Sequence, residues 1–236
     1  MLEKALKYIV NLATPEILYV NGESYSDRAL HRISFNPKAE AIKLTTLSSL
    51  VDYIRSGVDS MDGTMFIHVE SPTRVRMYSQ LDYERCREYM VEVNAQLPTF
   101  EFNRFIDHES FCIAIQSKFI DTYDRALLLK FAGTVEAGTV AEYGDDGITQ
   151  KATIKTGIAA KEDAIVPNPV RLMAYRTFLE VEQPFSSYIF RMQGERNVQC
   201  ALFEADGGAW KLEAMRRIKA YLENSLEGMD GFIVIS

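Results

Sequence analysis

The order of apolar patterns predicts an α+β fold with a mixed or largely antiparallel sheet and helices packed against it. Three observations carry that expectation. Strand-like alternation recurs in short runs joined by turn signals, and helical spacing of apolar residues interrupts those runs at irregular intervals. The regular strand-helix-strand alternation of a doubly wound parallel sheet is missing. Apolar residues make up 47% of the 236-residue chain, enough for a sizeable core. The expectation is a single domain over residues 1–236, with residues 1–60 as an N-terminal appendage or oligomerisation element.

Leu2, Leu6, Ile9, Val10 and Ala13 recur at helical spacing with Lys4 and Lys7 on the other side, which predicts a short amphipathic helix that packs on the core or on a partner subunit. Pro15 stops it. Ile17 to Val20 form an apolar run that ends at the turn signal Asn21-Gly22, so a strand is expected there and a second one around His31 to Phe35. Leu47, Leu50, Val51 and Ile54 share a helical face, and Gly57 stands where that helix ends. After Asp62-Gly63, Met65 to Val69 and Arg74 to Tyr78 flank Ser71-Pro72 in the pattern of a hairpin. Cys86, Met90, Val93 and Leu97 fit a helix between Asp82 and Gln96 that Pro98 terminates.

Asp107 caps a predicted helix with Phe111 and Ile115 on its inner face and Phe119 as a further candidate. A second helix begins at Asp121 or Thr122 and carries Ala126, Leu127, Lys130 and Phe131. Together they predict an α-hairpin around 107–132, ended by Gly133. Thr139 to Tyr143 and Ile148 to Ile158 bracket Gly144-Asp145-Asp146-Gly147. On the second limb Ile148, Ala152, Ile154 and Ile158 share one parity, and Thr149, Lys151, Thr153 and Lys155 the other. That predicts a long β-hairpin around 139–158 with one wet face. Ala159 to Pro169, which contains Pro167-Asn168-Pro169, reads as a linker. Beyond it Tyr175, Thr177, Leu179 and Val181 alternate with Arg176, Phe178, Glu180 and Glu182, a strand pattern that Pro184 ends. Tyr188 to Met192 and Val198 to Glu204 supply two more strands around Gly194. A C-terminal helix over 209–226 is expected to bury Leu212, Met215, Ile218 and Leu222 and to close at Gly228, and Phe232 to Ile235 form a last strand.

Charge and cysteine usage narrow the functional classes. The chain has 33 acidic and 26 basic residues, a formal charge of −7 that opposes broad attraction to nucleic acid. The acids are interspersed with lysines and arginines, as on a plain solvated surface rather than an acidic mimic of nucleic acid. Cys86, Cys112 and Cys200 are odd in number and widely spaced, and they read as free buried thiols in a reducing cytoplasm. No apolar run approaches the roughly 18 residues of a membrane span, and Met1 to Lys7 carries charges where a signal peptide places its apolar region. A soluble protein of the cytoplasm is the expectation.

Tyr175-Arg176-Thr177-Phe178-Leu179-Glu180-Val181-Glu182-Gln183-Pro184 and Ala201-Leu202-Phe203-Glu204-Ala205-Asp206-Gly207-Gly208-Ala209-Trp210 resemble the YfdQ-like family of uncharacterised phage and prophage proteins. Further matching stretches are Asn103 to Asp107, Ala114 to Phe119, Asp124 to Leu128, Gly144 to Gly147 and Val166 to Pro169, so the likeness covers residues 65–226. The resemblance implies a phage or prophage source, a host-cytoplasmic location and an accessory role. It brings no catalytic residues.

Each candidate constellation has a plainer structural reading. His31, His68 and His108 are the whole histidine supply. His68 and Glu70 share a strand face, whereas Asp107, His108 and Glu109 point in different directions along a helix. Without a His-x-x-x-His or Cys/His spacing, a capping Asp107 and surface histidines are expected. Gly144 to Gly147 lacks the distal acid of a calcium loop and reads as a hairpin turn. Ala205 to Ala209 joins a strand to a helix, the context of a phosphate loop, but Lys211-Leu212 is not a Lys-Ser or Lys-Thr pair and Asp206 opposes an anion. Glu180 with Glu182, and Glu204 with Asp206, read as solvated strand-edge carboxylates rather than acid-base pairs. No Gly-x-Ser-x-Gly elbow is present. The aromatic and basic residues of Arg74 to Tyr78 and Tyr188 to Arg191 lack a surrounding basic groove, so core packing accounts for them.

No catalytic, cofactor-binding or metal-ligating residue is therefore assigned, and no cofactor is expected. The leading expectation is a non-enzymatic accessory protein that acts through protein-protein contacts, as a homo-oligomer or with a host or phage protein, and away from membranes. Two alternatives stand beside it: a nucleic-acid-associated factor or acidic mimic, and a metal-dependent hydrolase of nucleotides or nucleic acid that draws on scattered Asp, Glu and His.

Overall fold

A proline at position 15 and glycines at turn positions divide the chain into elements whose arrangement is seen in a computed structural model, which describes residues 2–13, 15–27, 38–59, 61, 63–134, 140–145, 150–156, 160–165, 168–194 and 197–236. The chain separates into two units, Met1–Ala39 and Glu40–Ser236. In the first, helix α1 (Leu2–Ala13) is followed by an antiparallel hairpin of β1 (Ile17–Val20) and β2 (Glu23–Ser26). Asn21 and Gly22 both take positive φ, 53° and 84°, as a two-residue turn matched to strand twist requires. Asp27 locks the base, its carboxylate accepting from the Glu16 amide at 2.8 Å. The tight turn brings the return strand immediately to 23–26; the strand expected at 31–35 lies outside the described residues.

The second unit is α+β, with three sheets among its described residues. Its largest has the order β14-β4-β5-β6-β3. Strands β4 (Met65–Ser71), β5 (Arg74–Ser79) and β6 (Tyr89–Asn94) form an antiparallel meander, and β3 (Ile42–Leu44) and β14 (Phe232–Ile235) join its edges in parallel. Alternation puts Ile67, Val69, Val75, Met77, Val91 and Val93 on one face. Helix α2 (Leu47–Ser56) covers part of that face with Leu47, Leu50 and Ile54, and helix α5 (Ala209–Ser225) covers more with Ile218 and Leu222. Thr46 caps α2, its hydroxyl accepting from the Ser49 amide at 3.2 Å, and Gly57 ends it with φ of 59°.

The second sheet is antiparallel, in the order β11-β12-β13-β7, with β7 (Ile106–Asp107), β11 (Val170–Leu172), β12 (Ser186–Gln193) and β13 (Gln199–Glu204). The helix pair α3 (His108–Lys118) and α4 (Tyr123–Thr134) packs on it, and Phe111, Ile115, Phe119, Leu128 and Phe131 meet Leu172, Tyr188, Phe190 and Leu202. The third sheet is the meander β8 (Val140–Asp145), β9 (Gln150–Thr156) and β10 (Ala160–Ile165). Among the described residues no helix is long and apolar enough to cross a membrane.

Several expectations are corrected. The segment 82–96 is a strand at 89–94 rather than a helix. Val91 and Val93, β-branched and spaced by two, are fully buried in the ladder with β5, so period two prevails over 3.6. Residues 175–182 form no strand: the amides of Arg176 and Thr177 and the carbonyls of Thr177, Phe178 and Val181 bond to a side chain of the same loop instead of a neighbouring strand. The stretch 159–169 is no simple linker, since β10 pairs along β9 from Ala160 opposite Thr156. On α5 the buried face is Ala214, Ile218 and Leu222, whereas Leu212 is 66% exposed. On α4 the inward residues are Leu128, Phe131 and Ala132, and Ala126 and Lys130 face out. Cys86 is exposed rather than buried; all three thiols are free. The last strand, expected at Phe232 to Ile235, is β14, an edge strand that pairs in parallel with β4.

Candidate functional site

The irregular segment 174–185 is organised by one amide. Gln183 is buried, and its Oε1 accepts from the backbone amides of Arg176 at 2.9 Å and Thr177 at 3.0 Å. Its Nε2 donates to the carbonyls of Thr177, Phe178 and Val181 at 3.1–3.3 Å. A buried side chain thus satisfies backbone groups that a sheet would otherwise pair. Thr177 ties the segment to the β4-β5 turn, its hydroxyl donating to the Pro72 carbonyl at 2.6 Å.

This scaffold fixes Arg176, which is only 9% exposed. Its Nη1 donates to Glu204 Oε1 at 2.5 Å, and its Nη2 donates to the Tyr188 hydroxyl. The guanidinium stands 4.0 Å from the Trp210 ring centroid, 4.9 Å from Phe102 and 5.3 Å from Tyr188. A buried cation is thereby held by one carboxylate and three aromatic faces. Burial pushes the Tyr188 hydroxyl up to about 12, against the opposing pull of Arg176. Trp210 reaches the group because Gly207 and Gly208 take φ of 62° and 81°, turning the chain from β13 into α5. Asp206 steadies that turn, its Oδ1 accepting from the Gly208 amide at 3.0 Å.

Beside the Arg176 cluster lies a cleft of about 420 Å³. Its walls include Leu97, Phe100, Phe102 and Trp210, and Lys118 and Lys211 also line it. Lys118 Nζ donates to the Thr99 carbonyl at 2.5 Å. Glu204 is the one acid among the described residues that line the cleft, and Arg176 neutralises it. Segments distant in sequence build this site, and the sequence reading missed Gln183, Arg176 and Trp210 as a group. The lone tryptophan behind a glycine pair was the available signal.

The residues weighed from sequence fall elsewhere or into supporting roles. His68 lies opposite Arg76 on β5, and the Glu70 beside it pairs with Arg76 at 3.2 Å and Arg74 at 3.8 Å. His108 Nε2 lies 2.5 Å from the Ala132 carbonyl, between α3 and α4. Asp107 caps α3, and the hydrogen bonds from Ser110 hold its carboxyl below the ordinary range. Glu180 accepts from the Ser48 amide at 3.2 Å and Glu182 pairs with Arg217 at 3.1 Å, so the two do not act as a pair on one strand. Arg74 and Arg76 are engaged with Glu70 and Glu92. His31 and residues 146–147 of the Gly144 to Gly147 turn lie outside the described residues. No group of three or more His, Cys, Asp or Glu that could hold a metal ion occurs among the described residues.

A second feature is the surface of the first unit. Leu6 and Ile9 on α1 are 55% and 61% exposed, and Ile17, Leu18, Tyr19, Val20 and Tyr25 of the hairpin are exposed as well. Compared with known proteins, the chain matches no family model, no curated protein and no solved structure.

Proposed function

We propose that this chain is a non-enzymatic accessory protein of phage or prophage origin that works by assembling with itself in the host cytoplasm, and that residues 2–27 are its assembly surface. The observation that carries the reading is the exposed apolar stripe of α1 together with the exposed hairpin beside it in sequence. A 12-residue helix and a two-stranded hairpin are each marginal without packing, and fully burying a Leu or Ile side chain contributes about 1.5–3 kcal/mol. A second copy supplies the same apolar surface, and a two-fold arrangement buries both at once. The phage source rests on the motif likeness in residues 65–226.

Light scattering on the full chain is expected to give a dimer or larger assembly at micromolar concentration. The double variant Leu6→Asp, Ile9→Asp is expected to run as a monomer with an unchanged far-ultraviolet signal from the second unit. A wild-type chain that stays monomeric across that range sinks the proposal.

A further inference from the structure

We infer that the cleft beside Arg176 binds a small planar anion, a flat ring carrying one phosphate or carboxylate. Its volume of about 420 Å³ falls within the range of small-ligand sites, ~300–1,000 Å³. Phe100, Phe102 and Trp210 supply aromatic wall. Such walls also suit cationic ligands, but the cation-binding position is filled: Arg176 itself stacks on Trp210, Phe102 and Tyr188. What the cleft leaves unbalanced is positive charge. The Arg176–Glu204 pair is neutral, and neither Lys118 nor Lys211 has a carboxylate partner among the described residues. Lys118 spends one of its three donors on the Thr99 carbonyl, which pins the ammonium and leaves two N–H groups for a ligand. In a chain of net charge −7, two uncompensated lysines on one aromatic cleft select an anion.

The site lies wholly in the second unit and uses none of residues 2–27, so ligand binding and self-association are read separately. Trp210 is the only tryptophan in the chain, which makes its fluorescence a report from the cleft wall. The probes are adenosine monophosphate and benzoate, each a ring with an anion, against adenosine, benzamide and inorganic phosphate, each lacking one half. At least one of the two ring-bearing anions is expected to change Trp210 fluorescence saturably, with calorimetry giving the same affinity. Its incomplete counterparts should bind at least about tenfold more weakly. Preference for adenosine monophosphate marks a phosphate ligand, and preference for benzoate a carboxylate. Lys118→Gln with Lys211→Gln is expected to weaken binding by about tenfold or more, and Lys211→Gln alone, on an exposed residue, by a smaller factor at unchanged thermal stability. The inference is overturned if neither ring-bearing anion saturates below the millimolar range, if adenosine or benzamide binds as well as its charged counterpart, or if the lysine variants bind like the wild type.

Discussion

Gln183 shows how much one side chain can decide. It makes five hydrogen bonds to the backbone of its own loop, and no strand or helix stands ready to replace them. Replacing it with leucine strands buried amides and carbonyls, so Gln183→Leu should lower the unfolding free energy by about 3 kcal/mol or more in urea titration. Gln183→Glu keeps the acceptor but loses the donors, and should also destabilise at neutral pH. Tyr188 makes a pH prediction. Its hydroxyl is raised from about 10 to about 12 chiefly by burial, so the native state favours the neutral form. Stability from this group is complete below pH ~10 and is lost as pH rises toward ~12, because the unfolded chain gives up the proton first. Tyr188→Phe should shrink the alkaline loss of melting temperature without abolishing it, since Tyr53 and Tyr89 are raised to about 12 as well. The cysteines differ in the same physical terms. Cys86 is exposed, whereas burial pushes the Cys200 thiol up to about 12. Under native conditions iodoacetamide should therefore modify Cys86 fastest and reach Cys200 only on unfolding.

At the scale of elements, α5 offers a direct test of which face is buried. Ala214, Ile218 and Leu222 are spaced by four and fully buried, and Leu212 stands away from them. Leu222→Ala should cost about 2–5 kcal/mol through lost contacts and a cavity, and Leu212→Gln should stay within about 0.5 kcal/mol of wild type. A reversal of that order in thermal unfolding would contradict the packing. The helix and most of its inner face were legible, since Ile218 and Leu222 are buried as expected and Leu212 alone turns out to solvent. Gly207-Gly208 before it and Gly228 after it are local signals, whereas the choice between Leu212 and Ala214 is made by the sheet it meets. The segment 89–94 is the sharper case: Met90 and Val93 fit a helix by spacing, yet the ladder with β5 selects Val91 and Val93 for burial.

Over the whole molecule, the two cores of the second unit are joined through the segment 174–185. Phe178 and Val181 belong to the core of the five-stranded sheet, and Ala174 and Tyr188 on either side belong to that of the four-stranded sheet. Trp210 fluorescence and far-ultraviolet circular dichroism should accordingly report the same urea transition for the second unit, and separate midpoints would show that the cores unfold independently. What the sequence by itself determined is what neighbouring residues can decide alone: the α+β class, the Asn21-Gly22 turn, the Gly57 helix stop, the Asp107 cap, the β4-β5 hairpin and the helix pair. Those signals act over a few residues. The tertiary structure alone decided the β10 pairing, the strand at 89–94, the Gln183 loop and the cleft, because each depends on groups far apart in the chain. Glu204, Arg176, Lys118 and Trp210 carry no shared pattern in sequence; folding brings them to one site because burying Arg176 requires a carboxylate and aromatic faces around it at once.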